Sequence, residues 1–265
     1  MAAPSTVPAP SWRVVLAVVA LGAGFVLAQL IGGGIIVAGG WDFDVAASEG
    51  SDWGRVAGQY GLGLELDHNR IPMVVLLAVN VPLWAGFIGL PYLASRVRDL
   101  DWRRDMGWGM RPIDVPVGVM VGAVTQLAVV PLLYWPLSNV IDDQDLEEPA
   151  RNLIALADTP AAVAALLLMV VIGAPLAEEI VFRGLLFRGI LDMERAHGLA
   201  LPVAVVASSA IFAASHLQLL QFPGLFVIGS VAALGFHFTG RLGTAIWIHL
   251  GFNATAVVAV LREIY

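Results

Sequence analysis

The sequence predicts an all-α fold, a polytopic transmembrane helix bundle of about seven to eight spans, and three observations predict it. The 265 residues are 58% hydrophobic. Only 13% are charged, about half the share of a soluble domain. The apolar residues also fall into runs of about 20, the length a helix needs to cross a bilayer.

Taken in order, residues 1–11, MAAPSTVPAPS, are rich in Pro and Ala and read as a disordered tail. The apolar run 12–38 is too long for the core of a signal peptide and lacks a basic segment before it, so it reads as a retained first span. It ends near Gly32, Gly33 and Gly34. Further spans are expected at 71–95, 113–141, 160–187, 200–220, 222–239 and 243–262. Residues 12–141 therefore form an N-terminal set of transmembrane helices. Residues 142–159 form an acidic loop, of which 146–157 suits a short interfacial helix. Residues 160–262 form the second set of helices, with Gly173 and Pro175 as the expected kink in its first member. No repeat and no sizeable soluble domain is visible.

Arginine asymmetry orients the bundle. Arg96, Arg98, Arg103, Arg104 and Arg111 share one loop, Arg188 and Arg195 another, and Arg13 and Arg241 fall on the same side. The loops at 39–70 and 142–159 are poor in Arg and carry acids such as Asp142, Asp143, Asp145, Glu147 and Glu148. The N-terminus is thus expected in the cytoplasm and the C-terminus outside. Trp12, Trp53, Trp102, Trp108 and Trp247 suit the aromatic belts at the interfaces.

Composition excludes several chemistries. The chain has no Cys, so disulfides and thiolate catalysis are ruled out. All 14 basic residues are Arg, which removes Schiff-base and Ser–Lys mechanisms. A net charge of −7 without a basic cluster argues against a nucleic-acid partner; the lipid bilayer is the partner the composition requires. Neither a GxSxG nucleophile elbow nor a GxGD aspartate pair is present.

Three polar constellations interrupt the apolar second half, and charges at bilayer depth mark functional sites by default. The first is Glu178, Glu179 and Arg183, in APLAEEIVFRG. Glu179 and Arg183 are four apart and stack on one helix face, where pairing offsets part of the cost of burying both. Glu178 points about 100° away and is free to serve as a general base. The competing reading is a buried ion pair with a spare interfacial glutamate. The second is Phe212 and His216, one turn apart; alone, such a histidine is more often a helix-packing hydrogen bonder. The third is His249 and Asn253, also one turn apart. Both can aim N–H groups at one oxygen, as an oxyanion hole requires, or they can act as polar glue between helices. Taken together, a glutamate, a histidine and a His–Asn pair on three helices suit water activation and peptide hydrolysis.

These residues, in this order, resemble the CPBP family of intramembrane proteases, which groups the CaaX-processing (Rce1-type) endopeptidases with the bacteriocin-processing and self-immunity (Abi) proteins. Its EExxxR motif matches Glu178, Glu179 and Arg183; its FxxxH motif matches Phe212 and His216; its HxxxN motif matches His249 and Asn253. The resemblance covers roughly residues 160–262 and makes that stretch the expected catalytic core. It implies a glutamate-type protease with a cavity open to the cytoplasm. Glu178 and His216 would bind and activate water, His249 and Asn253 would hold the oxyanion, and Glu179 with Arg183 would brace the site. The substrate it implies is a peptide or a lipidated protein. No cofactor is expected. Zinc at Glu178, His216 and His249 is the alternative, since two histidines and a carboxylate can ligate it, although no HExxH pair is present and Asn253 is a poor zinc ligand. A non-enzymatic immunity or scaffold protein of the same fold is the competing function, and a proton-relay transporter is a third.

Several polar residues are assigned elsewhere. His237, beside Arg241, reads as an interfacial anchor; His68 and His197 read as loop residues; Asn80, Gln29 and Gln126 read as interhelical hydrogen bonders. One tension stands. At 1.5 Å per residue His249 lies about 9 Å from the cytoplasmic end of its helix, whereas His216 lies about 28 Å in. Catalytic partners must share a depth. Either 184–206 protrudes from the membrane, or that helix tilts, or the spans are miscounted.

Overall fold

The computed structural model describes residues 12–39, 43–44, 65–66, 72–97, 99, 101–138, 143–194 and 198–264. The expected tail at 1–11 lies outside the described residues, as do Trp53, His68, Arg98, Asp142, Arg195 and His197. Among the described residues the chain is helical apart from a two-residue antiparallel pairing of Phe43–Asp44 with Glu65–Leu66. The helices are α1 (Trp12–Ala38), α2 (Met73–Val97), α3 (Trp102–Met106), α4 (Asp114–Tyr134), α5 (Asp143–Ala155), α6 (Pro160–Glu194), α7 (Ala200–Ser215), α8 (Phe222–Thr239) and α9 (Leu242–Ile264).

Six of them, α1, α2, α4, α6, α8 and α9, are long and apolar enough to cross a bilayer. The protein is a multi-pass membrane bundle. α7 departs from the expected pattern. Its 16 residues span about 24 Å, less than the roughly 30 Å of a hydrocarbon core. The apolar letters of LQLLQF mask this early stop. The helix ends because Leu217 takes a left-handed φ of 55°, and Pro223 then starts α8 from its first turn. α4 also stops short of its expected end at 141, running into a single 3-10 turn at Trp135–Leu137. α5 forms where a short helix was expected, and its Ile154 is buried beneath it.

Local chemistry sets the other boundaries. The Thr159 hydroxyl accepts from the Ala162 N–H and Pro160 opens α6. Asp101 caps α3, whose C-terminal Gly107 adopts φ 67°; Gly240 ends α8 with the same left-handed turn. Within α6 two stretches, Leu167–Gly173 and Ile180–Phe187, are π-helical. The first ends at Gly173, which with Pro175 marks the expected kink, and the second begins just after Glu178 and Glu179.

Two apolar cores result. One surrounds the second half of α6 and includes Ala17, Phe182, Phe187, Phe212, Ala232 and Ile248. The other lies against the first half of α6 and includes Met73, Leu166 and Val257. Helices α4 and α9 cross closely through small residues: a Cβ at Gly251 would stand 2.6 Å from Val119 Cα, and one at Gly118 would stand 2.6 Å from Trp247 Cβ. That is how membrane helices pack without a hydrophobic driving force.

Polar clamps tie the Arg-rich ends together. Asp114, 2% exposed, accepts from Arg111 N, Arg241 Nε, Arg241 Nη2 and Thr244 Oγ1 at 2.6, 2.8, 2.5 and 2.9 Å. This joins the start of α4 to the α8–α9 turn. Arg13 pairs with Asp192 at 2.6 Å, and Arg188 Nη1 donates to the Arg104 and Asp105 carbonyls. These contacts also resolve the depth conflict. Phe187 packs edge-on to Phe236 near the end of α8, and Leu242 N donates to Gly107 O at the start of α9. The seven residues Arg188–Glu194, about 10 Å of helix, therefore continue past the α8–α9 turn together with the first turns of α7. The far end of α7 comes level with the middle of α9, where Phe212 meets His249.

Candidate active site

α6 offers two consecutive glutamates to one imidazole of α9. His249 is buried. Its Nδ1 lies 2.8 Å from Glu179 Oε1, and its Nε2 lies 3.9 Å from Glu178 Oε2. Successive residues diverge by about 100° around a helix, so the pair approaches the ring from two sides. A carboxylate accepts, so the Glu179 contact places a proton on Nδ1 and leaves Nε2 facing Glu178. Glu178 Oε2 and Glu179 Oε2 are buried without a hydrogen-bond partner.

Arg183 closes the group. Its Nη1 is 2.9 Å from Glu179 Oε1, the expected four-residue pair. Nη1 has no hydrogen-bond partner, so this is an ion contact. Nη2 donates to the Gly229 carbonyl at 2.9 Å, and the guanidinium lies 4.6 Å from the centre of the Phe212 ring. Glu179 and Arg183 are 0% and 1% exposed. Burial this deep is tolerable only where charges and hydrogen bonds compensate.

α7 supplies the wall. The Phe212 ring stands edge-on to Phe182, His249 and His216, with centroids 5.1, 5.5 and 4.8 Å apart. The four-residue spacing of Phe212 and His216 thus sets the aromatic ring between two imidazoles. His216 Nδ1 is 2.8 Å from the Phe212 carbonyl. A carbonyl only accepts, so Nδ1 donates and Nε2 keeps its lone pair.

The structure brings Glu178, Glu179, Arg183 and His249 into direct contact and links His216 to them through Phe212. It does not aim Asn253 at the atom His249 faces. Asn253 Nδ2 donates to the Val170 carbonyl of α6 at 2.8 Å. His237 lies apart on the last turn of α8, near Phe187 and Phe238. Asn80 bonds the Leu76 carbonyl and Met169 Sδ, as an interhelical residue would. Among the described residues no group of three His, Asp or Glu is placed to hold a metal ion. His249 Nδ1 faces Glu179 and His216 Nδ1 a carbonyl, the outer pairing that a metal-ligating histidine also makes, with Nε2 left as the ligand atom.

Sequence spacing does not reveal the backbone partners, the Gly229 and Val170 carbonyls. Nor does it single out Ser209, whose buried hydroxyl has no partner and whose Cβ would sit 3.1 Å from a Cβ at Gly229. Pro175 was the one available signal for Val170, since a proline leaves a carbonyl upstream without a donor.

Residues 160–255 match the family described as Type II CAAX prenyl endopeptidase, Rce1-like. No curated protein and no solved structure matches the chain.

Proposed function

We propose that this chain, whose residues 160–255 match the Type II CAAX prenyl endopeptidase, Rce1-like family, hydrolyses peptide bonds with a water activated by Glu178 and His216. The observation that carries this reading is the bracketing of His249. Glu179 holds Nδ1 at 2.8 Å, and an unpartnered Glu178 oxygen stands 3.9 Å from Nε2. That gap is too wide for a direct hydrogen bond, and a water seated beside it would reach both atoms.

Glu178 takes a proton from the water, and His216 reaches the second O–H with its Nε2 lone pair only once the Phe212 ring, which stands between the two imidazoles, moves aside. The oxygen attacks the scissile carbonyl carbon. The oxyanion that forms accepts from His249 Nε2–H, the imidazolium being balanced by Glu179. Collapse breaks the C–N bond, Glu178 passes its proton to the leaving amine, and the carboxylic acid so formed gives up the water's second proton to that amine, leaving a carboxylate and an ammonium. Glu179 and Arg183 touch no reacting atom; they orient His249. No metal takes part in this scheme. The Arg-rich ends of the helices face the cytoplasm, and the substrate is a peptide or lipidated protein presented from that side.

The test is cleavage of a farnesylated CAAX peptide and its unmodified counterpart by the purified protein in micelles, with and without a zinc chelator. Cleavage that survives the chelator is expected. Loss of cleavage on chelation, restored by zinc, contradicts the metal-free scheme. No cleavage of either peptide contradicts the protease reading for these substrates.

A further inference from the structure

Pro175 leaves a gap in the hydrogen bonding of α6, and Asn253 fills it. Through Leu167–Gly173 the helix is π-helical, and the Ala174 N–H donates to the Met169 carbonyl five residues back. The next bond in that register would run from residue 175 to the Val170 carbonyl. Residue 175 is proline and has no N–H. In a membrane bundle no bulk water makes up the loss, and an unpaired carbonyl there is costly. The Asn253 carboxamide stands 2.8 Å from the Val170 oxygen. Only its NH2 end can face a carbonyl.

Asn253 lies one turn beyond His249 on α9, and Val170 lies two turns before Glu178 on α6. A bond between them fixes the rotation and height of α9 against α6. The separations between His249 and the two glutamates depend on both.

We propose that Asn253 is a positioning residue. It completes the backbone of α6 where Pro175 interrupts it, and so holds His249 in register with Glu178 and Glu179. The inference rests on the protease reading only for its effect on activity; the bond itself is independent of what the protein does.

The experiment is a double-mutant cycle of Asn253→Ala with Pro175→Ala in the full chain, read by peptidase activity and by Tm in micelles. Pro175→Ala restores an N–H five residues after Val170. Asn253→Ala should lower activity about tenfold, the equivalent of one buried hydrogen bond lost, and lower Tm. In the Pro175→Ala background the same change should cost less than about threefold, and the Tm loss should shrink with it. Equal losses in both backgrounds overturn the proposal, because an oxyanion donor is indifferent to residue 175. If Pro175→Ala does not fold, Asn253→Asp decides: a carboxylate facing the Val170 oxygen should lower Tm further than Asn253→Ala, and a wild-type Tm overturns the proposal. Coupling in Tm alone, with wild-type protein inactive on both peptides, leaves the brace standing and removes the protease reading instead.

Discussion

Two adjacent glutamates sit in different surroundings, and the proposed function divides two jobs between them. Glu179 has no exposure and meets both Arg183 and His249, so it is part of the structure. Glu178 keeps 17% of its side chain exposed and an oxygen without a partner, so it is available to chemistry. The two should therefore respond differently to substitution. Glu179→Ala leaves the Arg183 guanidinium buried and unpaired and should destabilise the protein by about 3 kcal/mol, read as a fall in Tm. Glu178→Gln should leave Tm close to wild type. His216→Ala should lower cleavage by about 100-fold, in line with loss of a proton-accepting partner, again with Tm preserved; an equal fall in both readouts would make it a packing residue. The Glu179–Arg183 pair was legible in sequence because four residues make one helical turn. The target of Glu179 was not. Which face of α9 meets α6 is decided by tertiary contacts, and for the same reason the pairing of His249 with Asn253 on one oxygen, plausible from spacing, gives way to a backbone contact with Val170.

Helix ends and crossings carry the next layer. α7 stops at Ser215, and Leu217 sits in a left-handed conformation that a branched side chain disfavours. Tyr134 secures the turn that follows by donating to the Leu220 carbonyl at 2.6 Å and accepting from the Gly224 N–H at 3.2 Å. Leu217→Gly should therefore raise stability by up to about 1 kcal/mol, measured as Tm, and an unchanged or lower value would mean the turn is not strained. At the α4–α9 crossing there is no room for a side chain at Gly251. Gly251→Val should cost about 1–3 kcal/mol by overpacking and should lower activity, since α9 carries His249. The spans themselves were readable because hydropathy reports length well. The short α7 was not, because LQLLQF continues an apolar pattern past the point where backbone geometry ends the helix.

As an assembly, the protein solves a problem of depth. The candidate site sets the end of one helix beside the middle of another, and the α6–α7 hairpin that does so is clamped by Arg13, Asp192 and Arg188. The Arg-rich rim also predicts orientation. The natural chain has no Cys, so a single Cys replacing Arg104 should react with an impermeant reagent only from the cytoplasmic side; labelling from outside would invert the topology. The family match covers 160–255, and α1, α2 and α4 pack around that region as its scaffold. The central claim is that Glu178 supplies the base in a site assembled from α6, α7 and α9. Its most direct test is the rate at which purified Glu178→Gln releases the C-terminal fragment of a farnesylated CAAX peptide, followed by mass spectrometry beside wild type at matched Tm. The account predicts a rate at least about 100-fold below wild type; cleavage at the wild-type rate would contradict it.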